Sequence, residues 1–461
     1  MSFVPFAHAL ASRQDLPIPA WLFAWAASIV LIVSFFALSA AWRTPQLEDE
    51  HAKPLGARLS AALLGLPAQA LCGLLGVFLL GLAVYAGLEG TEAPDRNFAP
   101  AFVFVTCWLG FAFFSAILGD LFRPFNPWRA IGRAAGAGFR AIAGQRAAHL
   151  SYPERLGRWP AAIGLLAFVW LEVVYGSAGA TLDPETTAVA ALLYSAYTLA
   201  MMAVFGVEEW CERGEVFSVY FGMFGRLGVF GTRDGRLQRR RPFSATTSWA
   251  TIPGSAAVVI VSIAATSFDG AQEGAFKGAI ESAFEWFVDR GIGLTASLRL
   301  ADTLFLALCV AGIGLVYLLG VRGMRTVPGA PALAKLRVGF AHTLIPIALA
   351  YLVAHYFSNF VFLEQAQFGY LLSDPLGTGH TDLFGTAAWE VDYSVLSANA
   401  IWYVQVAALV IGHVIGLMLA HDRALVYWPD YRRATASQYW MLAVMVAFTC
   451  FGLYLLSVSN G

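Results

Sequence analysis

Long apolar runs recur along almost the whole chain. A helix that crosses the roughly 30 Å hydrocarbon core of a bilayer needs about 20 mostly apolar residues. Ten segments meet this requirement: 20–42, 59–87, 99–121, 159–178, 186–206, 247–266, 300–321, 339–362, 399–420 and 438–458. The pattern therefore predicts an all-α, polytopic membrane helix bundle with about ten transmembrane helices, in a single transmembrane domain over residues 1–461.

Basic residues are distributed unequally between the links that join these segments. The odd-numbered links hold 24 of the 29 Lys and Arg residues, whereas acidic residues dominate the even-numbered links. Loops rich in Lys and Arg stay in the cytoplasm, so we predict that both termini face outward, in the inner membrane of a bacterial cell. The net charge of −1 supplies no basic field for nucleic acid, and membrane lipid is the expected partner.

Several further segments are too short or too polar to span the membrane. Asn126-Pro127 marks the start of an amphipathic stretch suited to the inner interface. The apolar, Gly-rich run 216–230 lies in a basic link and indicates an interfacial or re-entrant element. Residues 273–290 predict an amphipathic helix on the outer surface, a candidate lid. The long outer loop 363–398 contains no Lys or Arg, and loops of this length are often functional.

Ionisable side chains inside apolar segments are the first indication of function, because charge is costly to hold in hydrocarbon. Glu172 lies in the outward half of the fourth segment, where its carboxyl must be protonated, paired or bound to a cation. The alternative is a neutral, hydrogen-bonded packing residue. In the eighth segment Tyr351, His355 and Asn359 are spaced by four and share one helix face.

The ninth segment adds Gln405 and His413, with His413 between Gly412 and Gly416. Two small residues at this spacing let a neighbouring helix approach closely, so His413 is expected at a tight contact. Gln405, His413, Tyr351 and Asn359 are candidate members of a proton or polar relay. Here too the alternative is a set of hydrogen-bonded packing residues.

Candidate metal ligands collect on the predicted outer side, with His355 as the central ligand and His8, His380 and Asp382 around it. Imidazole and carboxylate suit a divalent transition metal such as zinc, which can turn bound water into a nucleophile. Glu172 is then a further ligand or a general base, so Glu172 and His355 are the candidate catalytic residues. The alternative for the His380 to Asp382 stretch is an ordinary solvated loop.

Haem is another cofactor hypothesis, because His342 and His355 lie on one predicted helix and His413 and His421 on the next. A step of 13 residues rotates a helix by about 220°, so His342 and His355 face different ways. His355 and His413 also differ in depth. These offsets disfavour haem, and a membrane subunit of a redox complex is the third functional hypothesis.

Eight stretches of the chain carry a family resemblance. They are Ala7 to Leu10, Phe122 to Arg133, Tyr152 to Pro160, Glu212 to Glu215, Phe217 to Phe224, Phe268 to Gly274, His342 to His355 and His421 to Leu425. They resemble, over nearly the whole chain, a bacterial family of integral membrane proteins named after fenitrothion hydrolase, an activity against organophosphorus pesticides. The resemblance implies a membrane-embedded hydrolase of lipophilic phosphotriesters, our first functional hypothesis. A proton-coupled transporter or permease that uses Glu172 and His413 is the second.

Overall fold

The computed structural model describes residues 20–176, 183–272 and 274–459. It is 73% helical, which confirms the predicted all-α class. Within the described residues, nine helices are long and apolar enough to cross a membrane, and the apolar helix Trp159–Tyr175 is slightly shorter. The protein is therefore a polytopic integral membrane protein.

The helices are numbered in chain order. The first ten are α1 (Ala20–Ala41), α2 (Ala57–Leu64), α3 (Leu66–Glu89), α4 (Phe98–Leu118), α5 (Phe122–Phe125), α6 (Pro127–Ala143), α7 (Trp159–Tyr175), α8 (Pro184–Phe205), α9 (Val207–Arg213) and α10 (Val216–Gly225). The others are α11 (Thr246–Trp249), α12 (Ser255–Gln272), α13 (Lys277–Val288), α14 (Leu294–Gly323), α15 (Leu333–Leu371), α16 (Ala398–Tyr427), α17 (Tyr431–Ser437) and α18 (Tyr439–Ser459). Short 3-10 turns occupy Met324–Thr326 and Tyr393–Val395.

Nine of the ten predicted spans overlap one of the nine long helices and the tenth, 159–178, overlaps the shorter α7, but the bounds of some differ. The span predicted at 247–266 is shifted, because α12 covers Ser255–Gln272. Polar side chains such as Asp269 lower the hydropathy of its last turns. The end of the helix was therefore predicted too early in the sequence. Asp269 therefore lies inside a helix rather than in an outer loop. Similarly, α15 continues to Leu371, so the first part of the loop predicted at 363–398 is helical.

A small antiparallel sheet was missed by the sequence prediction. Its strands β1 (Lys53–Pro54), β2 (Phe230–Arg233) and β3 (Arg236–Arg239) lie in the order β1-β3-β2. Asp234 and Gly235 join β2 to β3 with φ values of 52° and 70°. An Asp-Gly pair between two short strands is a strong hairpin signal, so this hairpin was detectable in the sequence.

Helix α10 lies inside the bundle although its ten residues are too short to cross it. Tyr220, Phe221 and Phe224 are fully buried, and the helix packs against α4 and α7. Before α10, Glu208 contacts Arg123 in α5, just beyond the end of α4. After α10, the amide of Val229 donates to the carbonyl of Ile117 in the last turn of α4. The chain therefore enters the bundle and returns, which decides between the interfacial and re-entrant alternatives for 216–230.

The centre of the bundle is formed by α15 and α12, which are more deeply buried than the other spanning helices. We name the two ends of the bundle by their charge. The basic end carries the links 119–158 and 206–254, and the acidic end carries the links 90–97 and 373–397. The predicted orientation places the basic end in the cytoplasm.

Candidate functional site

An aspartate and a histidine meet between the two central helices. Asp269 lies in the last turn of α12 and His355 in the middle of α15. The Nε2 atom of His355 is 2.7 Å from Oδ2 of Asp269, and both side chains are largely buried. Because α12 ends three residues later, the pair lies in the half of the bundle toward the acidic end.

Two more groups donate to the same carboxylate. The hydroxyl of Tyr356 donates to Oδ2 of Asp269 at 2.6 Å, and Nε2 of Gln272 donates to Oδ1 at 3.0 Å. A Cβ atom built on Gly270 would lie 3.3 Å from Nδ1 of His355, so the missing side chain lets the imidazole approach α12. Asp269 is thus the acceptor around which His355, Tyr356 and Gln272 are arranged.

Glu172 brings a second carboxyl group to this site. It interacts electrostatically with Asp269, and no described residue donates a hydrogen bond to its buried Oε2 atom. The helix is distorted at this point: Leu171–Tyr175 forms a π-helical turn, in which the amide of Gly176 donates to the carbonyl of Leu171, five residues earlier. Such turns occur frequently at functional sites. Glu172 therefore lies within electrostatic range of the Asp269 carboxylate that pairs with His355.

Aromatic rings separate the site from the basic end. The ring of Trp108 lies 5.4 Å from that of Tyr356 and 6.5 Å from that of Tyr220 on the re-entrant helix α10. Glu172 is within electrostatic range of both tyrosines. The middle of α10 is thus brought near Glu172 and Asp269.

The predicted relay residues occupy a different part of α15 and α16. Nδ1 of His413 donates to the carbonyl of Leu409 in its own helix at 2.7 Å, and its ring lies 6.1 Å from that of Tyr351. The Tyr351 hydroxyl donates to the carbonyl of Phe448. Gln405 is buried, and Asn359 lies one turn beyond His355. These hydrogen bonds are compatible both with packing residues and with a relay, so the relay stays a prediction.

The predicted metal ligands are separated in the structure. His380 and Asp382 are exposed in the loop after α15, where Asp382 accepts hydrogen bonds from Ser373 and from the amide of Ala387. The bond from Ser373 holds the pKa of the Asp382 carboxyl below its usual value. His8 lies outside the described residues. Within the described residues, no group of three or more His, Cys, Asp or Glu side chains is arranged to hold a metal ion.

Asp269, Tyr356 and Gln272 were absent from the site residues predicted from sequence. The predicted span 247–266 ends three residues before Asp269, so Asp269 was not recognised as part of a helix. Its spacing from Ser262 and Thr266, seven and three residues earlier, puts all three on one face of α12. That polar face of an otherwise apolar helix is the signal that could have located it.

The arrangement can hold and exchange a proton. An imidazole paired with a carboxylate, beside a second carboxyl whose Oε2 accepts no hydrogen bond from the described residues, offers more than one position for a proton inside a site of low polarity. The fold and this cluster together define a polytopic integral membrane protein with an ionisable site inside its helix bundle. No protein-family model, curated protein or solved structure matches the chain.

Proposed function

We propose that this membrane protein is a proton-coupled transporter whose proton site is formed by Asp269, His355 and Glu172. The observation that carries the proposal is the buried Asp269 and His355 pair, 2.7 Å apart, on the two central helices. Ionisable residues at such depth are costly and typically mark ion pathways or proton relays. Glu172, with no donor on Oε2, is the group best able to gain or lose a proton or a bound cation.

Interrupted helices support transport in particular. Transporters commonly place their sites where spanning helices are broken, because freed backbone groups and local flexibility are available there. Here α7 changes to a π-helical turn at Glu172, and α10 crosses only part of the bundle beneath the site. A transport function that uses Glu172 predicts a break of this kind near that residue.

The test is coupled proton movement in reconstituted vesicles. The purified chain is placed in liposomes with an imposed pH gradient, reported by a pH-sensitive dye, and sodium, potassium, ammonium ions, amino acids and carboxylates are added in turn. We expect at least one class to dissipate the gradient with the wild type but not with Asp269→Asn. The matched control is His413→Gln, a buried histidine outside the cluster, which should behave as the wild type. Equal responses of the wild type and Asp269→Asn to every compound would overturn the proposal.

A second candidate is hydrolysis of lipophilic phosphotriesters, favoured by the orientation of His355. With Nε2 held by Asp269, the ring orientation is fixed and Nδ1 faces α12 beside Gly270. His355 would then take the proton from water while the oxygen attacks phosphorus and the aryl oxide leaves, the role of a carboxylate-oriented general base. A metal such as zinc was expected from the candidate ligands alone, and within the described residues no group of three or more His, Cys, Asp or Glu side chains is arranged to hold one.

Release of the nitrophenol product from fenitrothion tests this second candidate. Wild type in detergent should release the coloured product faster than protein-free micelles, and His355→Ala should return the rate to background. Metal content and the effect of a chelator, measured on the same samples, separate the metal-assisted from the metal-free form. If wild type and His355→Ala both remain at background, the hydrolase candidate is wrong.

A further inference from the structure

Helix α6 leaves the bundle after its first turn and a half. Trp128 and Arg129 are buried, but every residue from 133 to 146 is exposed. Ile142 is 91% exposed, although it is apolar. A helix of this length is only marginally stable alone in water, so a surface that covers its apolar side is expected. We name residues 133–146 the arm.

Both ends of the arm are fixed to the bundle at one depth. At its start, Nη2 of Arg129 lies 2.9 Å from Oε2 of Glu208 on α9. Beyond its end, His149 donates to the carbonyl of Ala203, and the amide of Leu150 donates to that of Val204. Ala203 and Val204 belong to the last turn of α8, a spanning helix. The arm therefore lies where the bundle meets the surface of the bilayer.

The arm has one basic and one apolar face. Arg133 and Arg140 are seven residues apart and differ in direction by only about 20° around the helix. Ile131, two residues before the arm, and Ile142 are eleven apart, also agree to about 20°, and point to the opposite side. Phe139, 46% exposed, extends the apolar face. This division is typical of a helix that lies in a membrane interface.

The charge around the arm has one sign. Residues 121–153 contain five arginines and no Asp or Glu. The ion pairs of this region join Glu208 to Arg123, Arg129 and Arg133, so within the described residues Arg140 and Arg146 have no acidic partner. The arm is thus complementary to a surface that is negatively charged and apolar beneath, as an anionic phospholipid leaflet is.

We propose that the arm docks on anionic phospholipid. Ile131, Phe139 and Ile142 enter the boundary between headgroups and acyl chains, and Arg140 and Arg146 pair with headgroup phosphates. The basic residues of this end select anionic over zwitterionic lipid. A protein partner on the same face is the competing occupant, and the experiment below distinguishes it.

Hydrogen exchange of the full-length chain in nanodiscs tests the proposal. Nanodiscs of phosphatidylcholine alone are compared with nanodiscs containing about one third phosphatidylglycerol. Amides of residues 134–143 should exchange on the order of tenfold more slowly with the anionic lipid. The reason is that each basic residue near an anionic surface strengthens membrane binding by a factor of this order. The double variant Arg140→Gln and Arg146→Gln should lose most of this difference. It should fold normally because both side chains are exposed and unpaired in the described structure.

A matched control changes two exposed arginines of the same charge elsewhere on the basic end, Arg233→Gln and Arg236→Gln, and should keep the lipid effect. Equal exchange of the arm in both nanodiscs, with fast exchange throughout, would overturn the proposal and favour a protein partner. The same protection in phosphatidylcholine after addition of inorganic phosphate would also overturn it, since free phosphate and not the membrane would then be the ligand.

Discussion

Glu215 and Glu172 are both carboxyl groups buried in the bundle, but their surroundings are opposite. Glu215 caps α10 and accepts four hydrogen bonds, from Asn126, Tyr194 and the amides of Phe217 and Ser218. Oε2 of Glu172 accepts none from the described residues. A buried acceptor without a donor costs stability. The comparison therefore separates an acid whose hydrogen-bond acceptors are satisfied within the fold from one with an oxygen that no described residue satisfies.

Asp269 lies between these extremes. It accepts from Tyr356, Gln272 and His355, so its charge is stabilised, but one of its partners is itself ionisable. If the number of donors sets the structural role of each acid, the cost of removing the carboxyl group should fall from Glu215 to Asp269 to Glu172. The loss of function caused by the same removals should not follow that order.

The largest effect on stability is expected for Glu215→Ala. The substitution leaves the Asn126 amide, the Tyr194 hydroxyl and two backbone amides without their acceptor. It should lower the free energy of unfolding by about 3 kcal/mol or more. Unfolding by denaturing detergent, followed by tryptophan fluorescence, measures it. Glu209→Ala is the control, since Glu209 is a partly exposed neighbour that, within the described residues, forms an ion pair with Arg213 alone. Equal losses for the two variants would contradict the structural role of Glu215.

The contrast also shows what could be predicted from the sequence. Hydropathy located the long helices, and the Asn126-Pro127 start of α6 was predicted from local capping alone. Glu215 was not singled out, because its value depends on Asn126 and Tyr194, which are distant in the chain. Asp269 and His355 are 86 residues apart, and only the packing of α12 against α15 brings them together. Local patterns predict helices, whereas pairing between helices depends on tertiary packing.

Asp269→Asn should have the second largest effect. The amide cannot accept charge-assisted hydrogen bonds from both Tyr356 and His355, and we expect a loss of about 1 to 3 kcal/mol in the free energy of unfolding. The same detergent titration measures this. Tyr356→Phe removes one of the donors and should cost less than Asp269→Asn. If Asp269→Asn proved as stable as the wild type, the number of hydrogen-bond donors to each acid would not explain its contribution to stability.

A smaller, pH-dependent effect is expected at Glu208, on the surface of the basic end. Burial alone would raise the pKa of Glu208, but hydrogen bonds and charge from Arg129 and Arg133 outweigh it and lower the pKa. The stabilisation is therefore present above the unfolded value of about 4.3 and is lost as the pH falls through the folded pKa. The group is half exposed, so solvent screening limits it to under about 1 kcal/mol.

Comparison of the wild type with Glu208→Gln between pH 7 and pH 3 measures this contribution. The difference between their free energies of unfolding should shrink as the pH falls. A difference that stays constant over this range would show that the ion pairs with Glu208 do not contribute. Glu154→Gln, on the same end and without a described ion pair, is the control.

Glu172→Gln should have the smallest effect on stability and one of the largest on function. No donor to Oε2 is lost, and the amide has the same shape, so the free energy of unfolding should change by less than about 0.5 kcal/mol. Coupled proton movement should nevertheless fall at least tenfold, because an amide cannot take up or release the proton. Measuring both quantities on one preparation is decisive. A stable Glu172→Gln variant with wild-type coupling would make Glu172 a packing residue and leave Asp269 and His355 as the proton site.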